Sequence, residues 1–251
     1  MEKTNIIILA GGLGKRMNSD LPKVLNKINN KPMIVNIIET VLDLNINKIF
    51  IIVGKYKNII QTTIEDYIKN DFIEYVLQEE ALGTGHAIQC CYNKLLLNHK
   101  YKTFILSGDV PLIKKATLER MLKLNKDCIL LTANIDNPYG YGRIIREKKN
   151  FLKIQEEKDC IEEERKINEI NAGIYLIQTG HIIGNIINIT NNNKQNEYYL
   201  TDIFKLIKEK GISVDTVKLD KCENYQIKGI NTKEDLVEVN NISREIMSIP
   251  K

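Results

Sequence analysis

The sequence predicts an α/β fold, a doubly wound, Rossmann-like and mostly parallel mixed sheet with an antiparallel extension in its second half. Three observations predict it. Apolar runs of strand length alternate with segments of helical period, the first run breaks into a glycine-rich basic loop, and the rhythm changes beyond about residue 140.

Ile6 to Leu9 is the first buried run, and Ala10-Gly11-Gly12-Leu13-Gly14-Lys15-Arg16-Met17 follows it directly. Pro32, at a first helical position, precedes the apolar stripe Met33, Ile37, Val41 and Leu42. Ile49 to Val53 reads as a strand, after which Ile60, Ile64, Tyr67 and Ile68 recur at helical spacing. Phe104-Ile105-Leu106 and Ile129-Leu130-Leu131 are further buried strands, separated by a helix carrying Leu118, Met121 and Leu122. Tyr141 to Arg146, Phe151 to Ile154 and Ile170 to Ile177 then read as strands with little helix between them. Thr190 to Asn196 is polar and loop-like. Helical spacing resumes at Ile203, Phe204 and Ile207, with Gly211 as its stop. Thr232-Lys233-Glu234-Asp235 resembles a capping box for a last helix containing Leu236 and Val239. No repeat or Gly/Pro/Ser-rich linker divides the chain, so one domain over residues 1–241 is expected. A C-terminal tail is expected at 242–251.

Composition excludes several classes. The 251 residues are 43% hydrophobic and 27% charged, and 36 basic against 32 acidic residues leave a net charge of only +4. That balance points to neither nucleic acid nor an anionic membrane as partner. The only early apolar run, Ile6 to Ala10, is too short for a signal-peptide core or a membrane span, so a cytoplasmic location is expected. Five cysteines without a C-x-x-C pair fit neither a disulfide framework nor a zinc site.

Three sites carry chemistry. The loop after the first strand offers backbone N–H groups and cations at one spot, which suits a polyphosphate. It is not a Walker loop, because Leu9 and Arg16 stand where glycine and a hydroxyl residue are needed. Nor is it a dinucleotide fingerprint, because Met17 replaces the third glycine. Glycines alone would suit a flexible loop equally well, but Arg16 and Lys23 favour anion binding. In Leu106-Ser107-Gly108-Asp109-Val110-Pro111-Leu112 a strand ends in an aspartate, where an open α/β sheet meets its ligands. An aspartate there is often a plain turn former, and the neighbouring glycine loop gives Asp109 its weight. In Leu77-Gln78-Glu79-Glu80-Ala81-Leu82-Gly83-Thr84-Gly85-His86-Ala87, the Gln78 amide offers a donor and an acceptor to the edge of a uracil-like base. Gly83 and Gly85 would let backbone approach a ring. The competing reading makes Thr84 merely the helix N-cap, and His86, which begins the helix, is assigned no catalytic role.

These motifs, in this order and spacing, resemble the sugar-1-phosphate nucleotidyltransferases. Tyr139 to Ile144, Glu156 to Asp159, Glu169 to Tyr175 and Glu197 to Asp202 narrow the resemblance to the uridyltransferase half of bacterial GlmU-type enzymes. It runs from about Ile6 to the last helix and implies a nucleotide-diphospho-sugar transferase fold of the GT-A-like type, with a nucleotide-binding part at about 1–111 and a sugar-binding part at about 112–231. It implies that Leu9, Ala10, Gly11, Gly12, Gln78, Gly83 and Thr84 hold the nucleotide, and that Arg16, Lys23 and Asp109 are catalytic. Asp109 and Asn231 would ligate Mg²⁺, and Gly140, Glu156, Asn171 and Thr201 would line an N-acetylhexosamine pocket. The implied substrates are UTP and N-acetylglucosamine-1-phosphate, converted to UDP-N-acetylglucosamine and pyrophosphate.

Family relatives often carry an aromatic residue where Ser107 stands and a polar one where Ala81 stands. The hexapeptide repeats of an acetyltransferase β-helix are not expected here, and a monomer or small homo-oligomer is. Rival readings are a glucose-1-phosphate uridylyl- or thymidylyltransferase and a catalytically silent nucleotide-sugar-binding protein. The joint presence of Arg16, Lys23, Asp109 and Asn231 argues against the silent form.

Overall fold

A computed structural model describes residues 2–12, 14–17 and 21–248; Leu13 of the glycine loop and residues 249–251 of the expected tail lie outside them. The strands are β1 (Thr4–Leu9), β2 (Lys27–Ile28), β3 (Lys31–Pro32), β4 (Ile46–Val53), β5 (Ile73–Leu77), β6 (Lys102–Ser107), β7 (Cys128–Asn134), β8 (Arg143–Glu147), β9 (Asn150–Gln155), β10 (Glu169–Gln178) and β11 (Asp215–Lys218). The helices are α1 (Met33–Leu42), α2 (Lys57–Tyr67), α3 (Thr84–Cys90), α4 (Tyr92–Leu97), α5 (Lys115–Lys123), α6 (Glu162–Arg165), α7 (Thr179–Ile186), α8 (Asp202–Glu209) and α9 (Lys233–Ser248). None of them is long and apolar enough to cross a membrane.

The main sheet runs β11-β7-β10-β6-β1-β4-β5, with the β8–β9 hairpin joined to it through β10. Only β10 on the seven-strand path opposes its neighbours β6 and β7; the other pairings along it are parallel. Strand alternation sorts the core into two layers. Ile6 and Ile8 of β1 join Ile49, Ile51 and Val53 of β4 in the layer under α1, α2 and α5. Ile7, Phe50 and Ile52 point the other way, into the layer under α3, α4, α7 and α8. Both faces of the central strands are therefore buried, which is why those strands read as unbroken apolar runs.

Several local expectations are corrected. Pro32 pairs with Lys27 in the β2–β3 ladder and precedes α1 rather than opening it, since its fixed φ suits the extended residue before the first turn. Ile68 ends α2 in an extended conformation, and β8 begins at Arg143 rather than Tyr141. Residues 242–248 continue α9 rather than forming a tail, because Ser243 packs inward and its hydroxyl accepts a hydrogen bond from Asn29. The expected capping box exists, with Asp235 as the reciprocal partner: its amide donates to the Thr232 hydroxyl at 3.2 Å, and the Thr232 amide donates to its carboxylate at 2.9 Å.

A third, small apolar cluster bears directly on the site. Met17 from the loop after β1, Ile28, Met33, Ile230 and Val239 bury one another apart from the two main layers. It ties that loop to the segment before α9, so the neighbours Arg16 and Asn231 are brought to the same place. A backbone hydrogen bond from Ile230 N–H to the Asp109 carbonyl, 3.0 Å, fixes the same segment to the end of β6.

Gly108 makes that end possible. A Cβ there would stand 2.7 Å from the Leu9 carbonyl oxygen and 3.0 Å from Val24. Gly108→Ala should therefore cost about 1–3 kcal/mol of stability by overpacking, read as a lowered urea midpoint; an unchanged midpoint would mean that β1 and β6 are not held this closely.

Candidate active site

Four neighbouring parallel strands end on one edge of the sheet, and their exits form a cleft of about 300 Å³. β1 exits through Gly11 and Gly12, β5 through Gln78, and β6 through Ser107 and Asp109; Lys23, Gly83, Thr84 and Glu197 complete much of the wall. The chain leaves β1 for β4 on one side and later returns to pair β6 on the other. This is the switch point at which open α/β sheets bind ligands.

One half of the cleft is an ion cluster. Lys23 Nζ donates to Asp109 Oδ2 at 2.5 Å and to Asn231 Oδ1 at 3.1 Å. Arg16 also donates to Asn231 Oδ1, at 3.0 Å. The Lys23 and Asp109 side chains are only 14% and 22% exposed, so their attraction is screened less than that of a surface pair. Gly14 helps to set it: at φ +59° it lies where a Cβ would meet Lys23 Cβ at 2.8 Å. Asn231 is held from behind by Asp235, whose carboxylate accepts the Asn231 amide N–H at 2.8 Å.

Asp109 Oδ2 and Asn231 Oδ1 thus already converge on one cation, the lysine ammonium. Two hard oxygens aimed at one point suit a divalent cation that takes its other ligands from phosphate and water. Among the described residues no group of three His, Cys, Asp or Glu side chains could hold a metal, so this pair would need substrate oxygens to complete the shell.

The other half is built around Gln78, which is only 7% exposed. Its Nε2 donates to the Gly83 carbonyl at 3.1 Å and lies 3.2 Å from His86 Nδ1. Leu9, Gly11, Gly12 and Gly83 border the same space, whereas Ala10 is not among its lining residues and is buried in the core, 2% exposed.

The glycines of the Gly83 loop also pack against a neighbour far along the chain. A Cβ on Gly83 would stand 2.6 Å from the Tyr198 carbonyl oxygen, and one on Gly85 2.9 Å from it. Backbone packs against them: Gly85 N–H donates to Tyr198 O at 2.7 Å and Tyr198 N–H to Leu82 O at 2.8 Å. Thr84 is the first helical residue rather than the N-cap, which is Gly83. The Thr84 hydroxyl instead accepts the Leu200 amide N–H at 3.1 Å. The Glu197 to Thr201 segment therefore braces the loop around Gln78.

The residues expected to line a sugar pocket fall into two groups. Glu156 accepts a hydrogen bond from Thr201 Oγ1 at 2.8 Å, and Glu156 and Asn171 both approach Gly142, whose absent Cβ would lie 3.6 Å from each. Burial pushes the Glu156 carboxyl above its usual range, and the charges of Asp202, Asp159 and Glu197 add to that against the Thr201 hydroxyl. Glu156 and Thr201 also face a separate depression of about 280 Å³ lined by Asp159, Tyr199 and Asp202. Asn171 opens a bulge in β10 and is held within it, accepting from Gly173 N–H at 3.1 Å and donating to the Tyr175 hydroxyl at 2.7 Å. Gly173 in turn lies against Ser107, where its Cβ would be 3.4 Å from Oγ, so this bulge abuts the β6 exit. Gly140 stands apart: its amide donates to Glu157 at 3.2 Å, and Glu157 pairs with the buried Arg143 at 2.7 Å.

Two residues escaped the sequence reading. Tyr141 lies near the ion cluster; burial raises its phenol pKa, and the charges of Asp109 and Asp235 raise it further. Asp235 was legible as a cap but not as the support of Asn231.

Comparison with known proteins agrees with this architecture. Residues 6–157 match the model of the MobA-like NTP transferase domain. The chain is 40% identical to a mimivirus protein (Acanthamoeba polyphaga mimivirus) named "Probable UDP-N-acetylglucosamine pyrophosphorylase", covering 97% of this chain and 100% of that protein. It is 37% identical to the bifunctional protein GlmU of Clostridium botulinum over 97% of its own length, but spans only 52% of that relative. A crystal structure of UDP-glucose pyrophosphorylase complexed with UDP-glucose superposes with a TM-score of 0.76 at 17% identity, over 97% of this chain and 99% of the other, a likeness of fold. With the family model covering more than half of its length, the chain belongs to the MobA-like NTP transferases.

Proposed function

We propose that this protein is a Mg²⁺-dependent uridylyltransferase that joins UTP and N-acetylglucosamine-1-phosphate to give UDP-N-acetylglucosamine and pyrophosphate. The observation that carries this reading is the convergence of Arg16, Lys23, Asp109 and Asn231 beside a cleft that also holds the Gln78 amide. Similarity to the mimivirus and GlmU proteins over 97% of the chain supports the choice of base and sugar. A cytoplasmic enzyme acting on small molecules fits the balanced charge.

The attacking group is already an anion, so no general base is needed. The sugar phosphate oxygen would attack the α-phosphorus of UTP in line, forming one P–O bond while the α–β bridging P–O bond breaks and pyrophosphate carries away the electron pair. Such transfers depend on positioning and on neutralising charge. Lys23 and Arg16, tied to Asn231 without substrate, would turn to the triphosphate, and Gln78 and the Gly83 backbone would hold the base. Glu156, Thr201 and Asn171 would position the sugar, with the carboxylate accepting from a hydroxyl. Asp109 and Asn231 would hold the divalent cation, which supplies further positive charge at the phosphates.

Removing one preorganised electrostatic group costs on the order of a hundred- to a thousandfold in rate. Asp109→Ala should lower pyrophosphate release from UTP and sugar phosphate by at least that factor, and retention of the parent rate would contradict the mechanism. Glu156→Gln should raise KM for the sugar phosphate about tenfold, the loss of one charge-assisted hydrogen bond, and leave KM for UTP within about twofold. A panel of UTP and dTTP against the 1-phosphates of N-acetylglucosamine and glucose tests the substrates; preference for glucose-1-phosphate would overturn the named sugar.

A further inference from the structure

His86 lies near the start of α3 and is half-buried. Its partners are on the base side of the cleft. Nδ1 is 3.2 Å from Gln78 Nε2, Nε2 is 3.9 Å from Cys90 Sγ, and the ring stands 6.2 Å from that of Tyr198.

The Gly83 carbonyl decides how the Gln78 amide must be turned. It has only lone pairs to offer, so the amide atom 3.1 Å away must be the nitrogen; the reversed amide would set two carbonyl oxygens against each other. The second Nε2 hydrogen then points at His86 Nδ1. That nitrogen must be an acceptor, which puts the imidazole proton on Nε2, towards the Cys90 sulfur. With both amide hydrogens used, Gln78 Oε1 is left on the opposite side, over Gly11, 3.0 Å from where a Cβ would stand. Among the described residues Oε1 accepts no hydrogen bond, although Gln78 is 7% exposed and lines the cleft.

Resting on the uridylyltransferase reading, we infer that His86 is a specificity-positioning residue: by accepting from Gln78 Nε2 it keeps Oε1 aimed into the cleft as a fixed acceptor, so that the site selects a base with a ring imide N–H. Uracil presents such a donor at N3; cytosine presents a lone pair there. A buried acceptor with no donor opposite it is costly, and sites of this kind reject the wrong partner strongly. Without His86 the amide keeps one tether, to Gly83, and Oε1 loses its fixed direction.

The test uses the whole chain, with UTP and CTP as alternative substrates in turnover and as ligands in titration calorimetry. His86→Ala should raise KM for UTP and cut the UTP-over-CTP ratio of kcat/KM at least about tenfold, with kcat for UTP within about twofold and KM for the sugar phosphate unchanged. His86→Asn, whose side-chain oxygen reaches the place of Nδ1, should restore the ratio. An equal loss with both nucleotides in His86→Ala, or no recovery in His86→Asn, would overturn the inference. If the parent turns over no nucleotide but binds UTP more tightly than CTP, and His86→Ala abolishes that preference, the inference stands while the reaction proposed above falls. A parent that binds UTP and CTP alike would overturn the inference itself.

Discussion

Lys23 reaches Asp109 at 2.5 Å and Asn231 at 3.1 Å, and this three-membered contact joins chain segments that lie 86 and 208 residues from the lysine. Each segment is delivered by a separate device. Gly14 lets the loop after β1 lie against Lys23, Gly108 lets Asp109 follow β6 closely past the end of β1, and the Ile230 to Asp109 backbone bond seats Asn231. The small cluster of Met17, Ile28, Met33, Ile230 and Val239 stands behind all three. Three polar groups are thus held by apolar packing and backbone bonds, the kind of support that preorganised electrostatics requires.

The cleft divides its labour between charge and shape. On the β6 side, cations and oxygens cluster beside the cleft. On the β5 side, neutral hydrogen-bonding groups surround Gln78, and the Tyr198 backbone supports the Gly83 loop from outside. Glu156 and Thr201 are hydrogen-bonded to each other, and Thr201 adjoins Leu200, whose amide holds Thr84. One stretch of chain therefore touches both the expected base loop and the expected sugar pocket, a short physical route by which occupancy of one could steady the other.

Much of the fold was legible in the sequence because its central strands are buried on both faces. Ile6 to Leu9, Ile49 to Val53 and Phe104 to Leu106 need no alternation to be recognised. What failed was short or unmarked. β11 buries only Val217, and α7 carries two glycines and several isoleucines with no side-chain cap, so neither presented a clear period. At the site, Asp109 and the glycine loop announced themselves by ending strands. Asn231 did not: a residue before a helix cap has no chemical signature, and resemblance to the nucleotidyltransferases alone singled it out. Gly83 and Gly85 were visible as special, but their packing role was not, since the backbone that crowds them belongs to Tyr198, far along the chain. His86 was passed over because its partner, Gln78, lies eight residues back across a turn, a spacing that belongs to no regular element.

The central claim is that Asp109 and Asn231 form one cation site which Lys23 holds until substrate arrives. Crystals grown with Mn²⁺ and UTP would test it directly through anomalous scattering. The account predicts one peak within coordination distance of Asp109 and Asn231 side-chain oxygens, with the Lys23 ammonium moved from between them onto a phosphate. A metal bound elsewhere while the ion pair of Lys23 with Asp109 stays closed would contradict it.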